Sequence, residues 1–98
     1  MKSCTRIEIV IETPLVDKMI EVLRKARAPG YTLLQDVRGA GDRGVRRGDA
    51  LVGDSSNSLF IIACDDEQAI ERIVEGVRPL LSRSGGICLT SAANWLRH

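Results

Sequence analysis

The chain has 98 residues, 44% of them hydrophobic but only three aromatic, which predicts one small domain with an aliphatic core. Its net charge of +1 argues against a general attraction to nucleic acid or to an anionic membrane. No apolar run reaches the length of a secretory signal or a membrane span, and the three cysteines lack paired spacing, so we expect a cytoplasmic protein without disulfides or metal.

The first half of the chain predicts a strand, a helix and a second strand. Residues 5–12, TRIEIVIE, alternate β-branched and polar side chains, which is typical of a half-buried strand. Thr13 and Pro14 suit the start of a helix, because threonine is a good cap and proline is tolerated at the first helical position. Apolar residues then recur at helical spacing through residue 26, and residues 31–38, YTLLQDVR, predict the second strand.

The second half repeats this order after a long glycine-rich connection. Residues 58–64, SLFIIAC, are a continuous apolar run that predicts a third strand. Asp65 and Gln68 have the spacing of a capping box, so a second helix is expected to begin at Asp65. Pro79 is expected to bend or restart that helix near its end. After a turn, residues 87–91, ICLTS, predict the fourth strand, and the tail that follows has no assignment.

The resulting β-α-β-β-α-β order predicts an α+β, ferredoxin-like sandwich, in which two helices cover one face of a single sheet. The other face would carry apolar residues that a single small domain leaves exposed. We therefore expect copies of the chain to associate. No repeat, linker or domain boundary divides the sequence.

The segment DVRGAGDRGVRRGDALVGD, residues 36–54, holds five glycines and four arginines. Its Gly-x-Gly-x-x-Gly spacing is that of a dinucleotide-binding turn, but no helical pattern follows, so a Rossmann site is not expected. A connection of nearly 20 residues is longer than a hairpin needs. Glycine amides and arginine side chains favour anion binding, and a plain flexible hairpin connection is the alternative.

Residues 29–49, PGYTLLQDVRGAGDRGVRRGD, resemble the second strand and the T-loop root of the PII-like signalling family. SRSGG, residues 82–86, is similar to the B-loop of that family, and NWLRH, residues 94–98, lies where the family has its C-terminal loop. The resemblance implies a single PII-like domain over residues 1–98, with a long flexible T-loop at about 39–57. It also implies a homotrimer with nucleotide bound in clefts between neighbouring subunits.

The T-loop differs from that of the nitrogen-sensing members of the family. Those proteins have a loop tyrosine that is uridylylated, and a lysine and a glutamine for magnesium and 2-oxoglutarate, whereas residues 39–57 contain none of these. The loop root, GDRGVRRGD, is more similar to the carboxysome-associated branch, CPII, which binds ADP or AMP with bicarbonate. The nearby SbtB branch, which accompanies a bicarbonate transporter and binds cyclic AMP, is the alternative.

The resemblance also implies which residues contact the ligands. The residues expected along the adenine and ribose are Gly30, Tyr31, Thr32 and Ile62. The residues expected at the phosphates come from the T-loop root, the B-loop and the C-terminal loop, and they are Gly39, Gly41, Asp42, Arg43, Gly44, Ser84, Gly85, Gly86 and Arg97. Bicarbonate is expected beside the nucleotide, and its candidate ligands are Arg43, Arg46 and Arg47.

These observations indicate regulation without catalysis. The sole histidine is His98, and no cysteine or serine has an evident base partner, so the sequence offers no general-base constellation. The resemblance implies that ligands order the T-loop and signal inorganic-carbon and energy status to a transporter or a carboxysome-related protein. Nucleic acid is not expected as a partner, and membrane contact is expected only through the partner protein. A ferredoxin-like docking module without a ligand is the second alternative.

Overall fold

The computed structural model describes residues 1–40 and 56–96, and its elements follow the β-α-β-β-α-β order. The elements are β1 (Lys2–Glu12), a short 3-10 helix (Thr13–Leu15), α1 (Val16–Lys25), β2 (Thr32–Val37), β3 (Asn57–Cys64), α2 (Glu67–Ser84) and β4 (Ile87–Trp95). The predicted fold class, a ferredoxin-like α+β sandwich, is thereby confirmed. Within the described residues, no helix combines the length and the apolarity that crossing a membrane requires.

The four strands form one antiparallel sheet in the order β2-β3-β1-β4, with β2 and β4 at its edges. Ile9 in β1 lies opposite Phe60 in β3 and Cys88 in β4, so these three side chains share the face that the helices cover. Alternate residues of β1 and β3 are accordingly buried. The period-two pattern of the sequence therefore decides which face of each strand enters the core.

The core lies between this sheet and the two helices. Met19 and Leu23 from α1 and Ile73 and Val77 from α2 are buried against the isoleucines of β1. Phe60 is the one fully buried aromatic residue in the part of the chain that the structure describes. Aliphatic side chains thus form nearly all of the core, as the composition indicates.

The first helix begins differently from the expectation. Residues 13–15 form a 3-10 turn, and α1 starts only at Val16. The Thr13 hydroxyl lies 2.9 Å from the Ser58 Oγ and accepts a hydrogen bond from the Ser56 hydroxyl at 3.0 Å. Because Thr13 is engaged with β3 in this way, its side chain does not cap the helix.

The second helix also departs from the expectation at both ends. Asp66, and not Asp65, is its N-cap, because the Asp66 carboxylate accepts hydrogen bonds from the amides of Gln68 and Ala69. Asp65 instead forms an ion pair with Lys2, at 2.9 Å. Pro79 does not interrupt α2, since the helix continues to Ser84 with buried residues on both sides of the proline.

The region predicted as a turn at residues 82–86 is mostly helical. Ser84 ends α2, and Gly85 adopts the left-handed conformation with φ 84°, donating its amide hydrogen to the Leu81 carbonyl at 2.8 Å. The strand after it is longer than predicted and ends at Trp95. Its extra length is explained by β1, which begins at Lys2 and pairs with β4 as far as Trp95.

The sheet face away from the helices is exposed and partly apolar. By the register of the strands, Leu34, Val10 and Ile87 lie on this face, with Leu89 one step further along β4. Ile87 and Leu89 are 52% and 56% exposed, which is high for aliphatic side chains on a strand. We refer to this surface as the open face.

Candidate functional site

A cleft of about 390 Å³ lies at the end of the sheet where β2 begins and β3 ends. Gly30, Tyr31 and Thr32 line it from the α1–β2 connection, and Ile61 and Ala63 line it from β3. The structure thus brings together three of the four residues that the resemblance placed along the adenine and ribose. The cleft forms here because β3 continues past the first residue of the edge strand β2.

The end of α1 gives the cleft one of its walls. The amide of Ala28 donates to the Leu23 carbonyl and that of Arg27 donates to the Arg24 carbonyl, both at 3.0 Å. These two bonds are the Schellman pattern that closes many helices. Arg27 occupies its left-handed position with φ 60°, and Pro29 then leads the chain toward β2.

Tyr31 and Thr32 give the cleft an aromatic ring and a hydroxyl group. The Tyr31 ring meets the Phe60 ring edge to face, with centroids 5.3 Å apart and planes at 65°, which anchors it to the core. Tyr31 is nevertheless 43% exposed, so much of its ring remains available to a ligand. Thr32 lies opposite Ile61 in the sheet and is exposed. An apolar wall beside a hydroxyl suits a flat heteroaromatic ring attached to a sugar.

Four charged residues also line the cleft: Arg27, Arg72, Asp65 and Asp66. The Arg72 Nε donates to the Ala26 carbonyl at 3.0 Å and so joins α2 to the end of α1. Both aspartates have partners within the chain, since Asp65 pairs with Lys2 and Asp66 caps α2.

Ile62, unlike the other residues expected along the adenine and ribose, does not line the cleft. Its side chain is 1% exposed and belongs to the core, whereas the side chains of Ile61 and Ala63 face the cleft. Neighbouring residues of a strand point to opposite faces, which explains the difference. A ligand in the cleft therefore has access to Ile62 only through its backbone.

The B-loop residues lie at the opposite end of the sheet. Gly86 donates its amide hydrogen to the Ser84 Oγ at 3.3 Å, and the amide of Gly85 is bonded to Leu81. Gly86 also passes so close to β1 that an added Cβ would lie 2.5 Å from the Val10 carbonyl oxygen. Gly39 comes two residues after Val37, the last residue of β2, at this same end.

One chain therefore does not gather the expected ligand contacts. Thr32 is level in the sheet with Ile61, Glu8 and Leu89, while Gly86 lies three residues before Leu89 on the far edge strand. Three strand spacings and three residues correspond to roughly 17 Å between Thr32 and Gly86. Within this chain, the two groups of expected contacts therefore lie at opposite ends of the sheet.

Several expected contacts lie outside the described residues. They are the T-loop and C-terminal positions Gly41, Asp42, Arg43, Gly44, Arg46, Arg47 and Arg97. The structure accordingly leaves the proposed phosphate and bicarbonate contacts of the T-loop as predictions.

Sequence reasoning missed part of the cleft. Had the buried face of β3 been assigned first, the alternation of its side chains would have indicated Ile61, and not Ile62, as the residue that lines the cleft. Arg72 gave no local signal, because its contact with Ala26 joins residues 46 positions apart. Arg27 is separated from the glycine-rich segment, and its position in the sequence indicates only the end of a helix.

The cysteines and acidic residues offer no evident chemistry. Cys4, Cys64 and Cys88 are free thiols, and burial raises the pKa of the Cys88 thiol. Among the described residues, no group of three or more histidine, cysteine, aspartate or glutamate side chains is arranged to hold a metal ion.

Comparison with known proteins gives a consistent family and fold. The family model for nitrogen regulatory protein P-II matches residues 4–97. A structure of CPII, a PII-like protein from Thiomonas intermedia K12 bound to ADP, AMP and bicarbonate, has a TM-score of 0.78 at 20% identity, covering 98% of this chain and 96% of that one. A PII-like signalling protein from Thermus thermophilus gives 0.73 at 24% identity, covering 98% and 92%.

The GlnK–ATP complex of B. subtilis is a further structural neighbour, with a TM-score of 0.66 at 16% identity, covering 95% of this chain and 84% of that one. A comparison with curated protein sequences finds no significant match. At these identities, the structural likenesses show a shared fold.

Proposed function

This chain belongs to the nitrogen regulatory protein P-II family, and we propose that it is a non-catalytic regulator that binds an adenine nucleotide between subunits. The observation that carries the proposal is the cleft beside Gly30, Tyr31 and Thr32. Its volume of about 390 Å³ is within the usual range for small-molecule sites. The exposed part of the Tyr31 ring would pack against the base, and the Thr32 hydroxyl would bind the ribose or the base edge.

The phosphates would be bound by the neighbouring subunit. The proposed contacts from its T-loop root and B-loop are Gly39, Gly41, Asp42, Arg43, Gly44, Ser84, Gly85 and Gly86, with Arg97 completing the site. The bond from the Gly86 amide to the Ser84 Oγ is long at 3.3 Å, so a phosphate oxygen could replace it at low cost. A homotrimer held together partly by the open face would present three such sites.

We further propose that the ligand is ADP or AMP together with bicarbonate. The T-loop carries three arginines and lacks the lysine and the glutamine that the nitrogen-sensing members of the family use. A guanidinium can bind bicarbonate with two parallel hydrogen bonds. Arg43, Arg46 and Arg47 are the candidates. CPII, which shares the fold, was solved with ADP, AMP and bicarbonate, and this supports the choice.

Signalling would follow from ordering of the T-loop. Fixing a glycine-rich segment costs roughly 1–2 kcal/mol of conformational free energy per residue, which contacts with phosphate and bicarbonate would offset in part. The ordered loop would then bind a transporter or a carboxysome-related protein and report inorganic-carbon and energy status. Coupling is reciprocal, so if bicarbonate tightens ADP binding, ADP tightens bicarbonate binding by the same factor.

The test is calorimetric titration with ADP, AMP and cyclic AMP, each with and without bicarbonate. Binding of ADP or AMP that strengthens with bicarbonate is the expected result. A preference for cyclic AMP would instead indicate an SbtB-like regulator. If none of the three binds, the nucleotide proposal is wrong and the loop is better explained as a docking arm.

Substitution of Arg43 tests the phosphate contact. We expect R43A to weaken ADP binding by about tenfold or more without changing the fold, because a hydrogen bond to a charged group contributes roughly 1.5–3 kcal/mol. R78A is the matched control, since Arg78 is exposed on α2, where it pairs with Glu75. Equal affinity of R43A and the wild type would remove Arg43 from the site.

A further inference from the structure

Arg27 occupies a backbone conformation that glycine normally fills. Its φ of 60° is the left-handed conformation at the Schellman position that closes α1. A residue with a Cβ is strained there, and glycine would remove the strain without losing either backbone hydrogen bond. Persistent strain of this kind is a reason to look for a function of the side chain.

The Arg27 side chain lines the cleft. In the part of the chain that the structure describes, none of the ion pairs that the carboxylates form includes Arg27. Its neighbour Arg24, one turn earlier on α1, is by contrast paired with Glu21. The guanidinium of Arg27 is therefore available to a ligand.

Arg72 brings a second guanidinium to the same wall. Its Nε donates to the carbonyl of Ala26, the residue directly before Arg27, and the side chain also lines the cleft. This bond uses one of the five guanidinium N–H groups, which leaves donors for a ligand. An anion in the cleft would be attracted by both positive charges.

The carboxylates of the cleft do not supply that anion. Asp65 pairs with Lys2 at 2.9 Å, and the Asp66 Oδ1 accepts from the amides of Gln68 and Ala69 at the start of α2. Counting Lys2 together with the four charged lining residues, the three cations exceed the two carboxylates by one. The wall formed by Arg27 and Arg72 therefore retains a positive charge.

We propose that Arg27 and Arg72 form an oxyanion subsite, which binds a phosphate or carboxylate group at the Tyr31 end of the cleft. It lies at the opposite end of the sheet from the B-loop and from the end of β2, where the T-loop root begins. The subsite goes beyond the proposed nucleotide function, because it requires neither a nucleotide nor the T-loop arginines. The subsite would give the cleft a preference for ligands that place an anionic group near the Tyr31 ring.

The experiment is a titration of the full chain with inorganic phosphate, followed by the backbone amide NMR signals, with sodium chloride at equal ionic strength as the reference. Saturable shifts at Ala28, Gly30 and Tyr31 are expected in the wild type. In R27G the dissociation constant for phosphate should rise by at least about tenfold, since a charge-assisted contact is lost. R72Q should also weaken binding.

The control variant is R24Q, which removes an exposed arginine of the same helix outside the cleft and should bind phosphate as the wild type does. Without phosphate, R27G should have a higher melting temperature than the wild type, because glycine relieves the backbone strain. A higher melting temperature would show that the weaker phosphate binding of R27G is not caused by unfolding. A dissociation constant unchanged in R27G, or shifts confined to residues 84–86, would overturn the subsite.

The outcome is separable from that of the nucleotide proposal. If phosphate shifts the amide signal of Gly30 in the wild type but not in R27G, and the protein binds no nucleotide, the subsite is supported and the nucleotide proposal is not. Nucleotide binding without any phosphate response at Ala28, Gly30 or Tyr31 would overturn the subsite and leave the nucleotide proposal standing.

Discussion

At the scale of single residues, two glycines show how strongly the effect of one methyl group depends on its surroundings. A Cβ on Gly86 would lie 2.5 Å from the Val10 carbonyl oxygen and 2.9 Å from the Leu81 Cδ2, so backbone would have to move. A Cβ on Gly76 in α2 would lie 3.4 Å from the Val22 Cγ1 in α1, an ordinary van der Waals contact between the two helices. Close backbone approach therefore requires glycine at the first position and not at the second.

We accordingly expect G86A to lower the free energy of unfolding by about 1–3 kcal/mol, the usual cost of overpacking. G76A should be neutral or stabilising by up to about 1 kcal/mol, because alanine is the better helix former. Urea unfolding of both variants measures the difference. Similar stabilities would show that the β1–β4 contact relaxes more easily than its geometry indicates.

Cys88 is the second residue with a measurable consequence. Its side chain is partly buried on the helix-facing side of β4, and burial raises the pKa of the thiol above its ordinary value of 9.0. The folded protein therefore binds the proton more tightly than the unfolded chain. This stabilisation is fully present below about pH 9 and is lost as the pH rises through the folded pKa.

As the pH rises above about 9, the free energy of unfolding should fall more steeply in the wild type than in C88A. Chemical unfolding at a series of pH values measures both slopes, and C4A is the comparison for a thiol of similar exposure on the opposite sheet face. Parallel curves for the wild type and C88A would show that the Cys88 thiol titrates alike in both states.

At the scale of the elements, the two adjacent aspartates before α2 have different roles. The Asp66 carboxylate accepts from two amides of the first turn, whereas Asp65 pairs with Lys2 on the surface. We expect D66A to cost about 1 kcal/mol of stability, as loss of an N-cap usually does. D65A should cost less, because surface ion pairs contribute roughly 0–1 kcal/mol. Thermal unfolding ranks the two, and the reverse order would assign the cap to Asp65.

The order and type of the four strands and the two α-helices could be predicted from the sequence, because the periodicities of two and 3.6 are local properties of the chain. The ends could not, since they depend on distant partners. Thr13 is held by Ser56 and Ser58, more than 40 residues later, and β4 is extended by the start of β1. Local spacing alone therefore placed the caps incorrectly and ended the last strand four residues too early.

The same distinction applies to the cleft. Gly30, Tyr31 and Thr32 are consecutive, so a motif could identify them together. Arg72 reaches the cleft only because α2 packs beside the end of α1, and a motif in one segment does not contain that information. Contacts between segments distant in sequence become visible only when the fold is known.

At the scale of the whole molecule, the separation of the expected ligand contacts bears on how copies of the chain would assemble. Residues 30–32 lie at one end of the sheet and residues 84–86 at the other, roughly 17 Å apart by strand geometry. The T-loop begins at the same end as residues 84–86. If one nucleotide contacts both groups, each subunit would contribute half of two different sites. The apolar open face is a surface through which subunits could associate.

Two variants can test this arrangement by complementation. G30F should block the cleft without straining the chain, because a Cβ on Gly30 meets no atom within 4 Å. R43A should remove the phosphate contact from the other half-site. Each variant alone should bind ADP at least about tenfold more weakly than the wild type, because R43A loses a charged contact and G30F fills the cleft.

Mixed trimers of the two variants should regain binding. Wherever an R43A subunit supplies the cleft and a G30F subunit supplies the loop root, both halves of the site are intact, so each mixed trimer contains one functional site. Calorimetric titration with ADP measures this recovery after the two variants are denatured and refolded together. The control is the same two variants refolded separately and then mixed. No recovery after joint refolding would place the nucleotide within a single chain, because only a site shared between subunits can be restored by mixing.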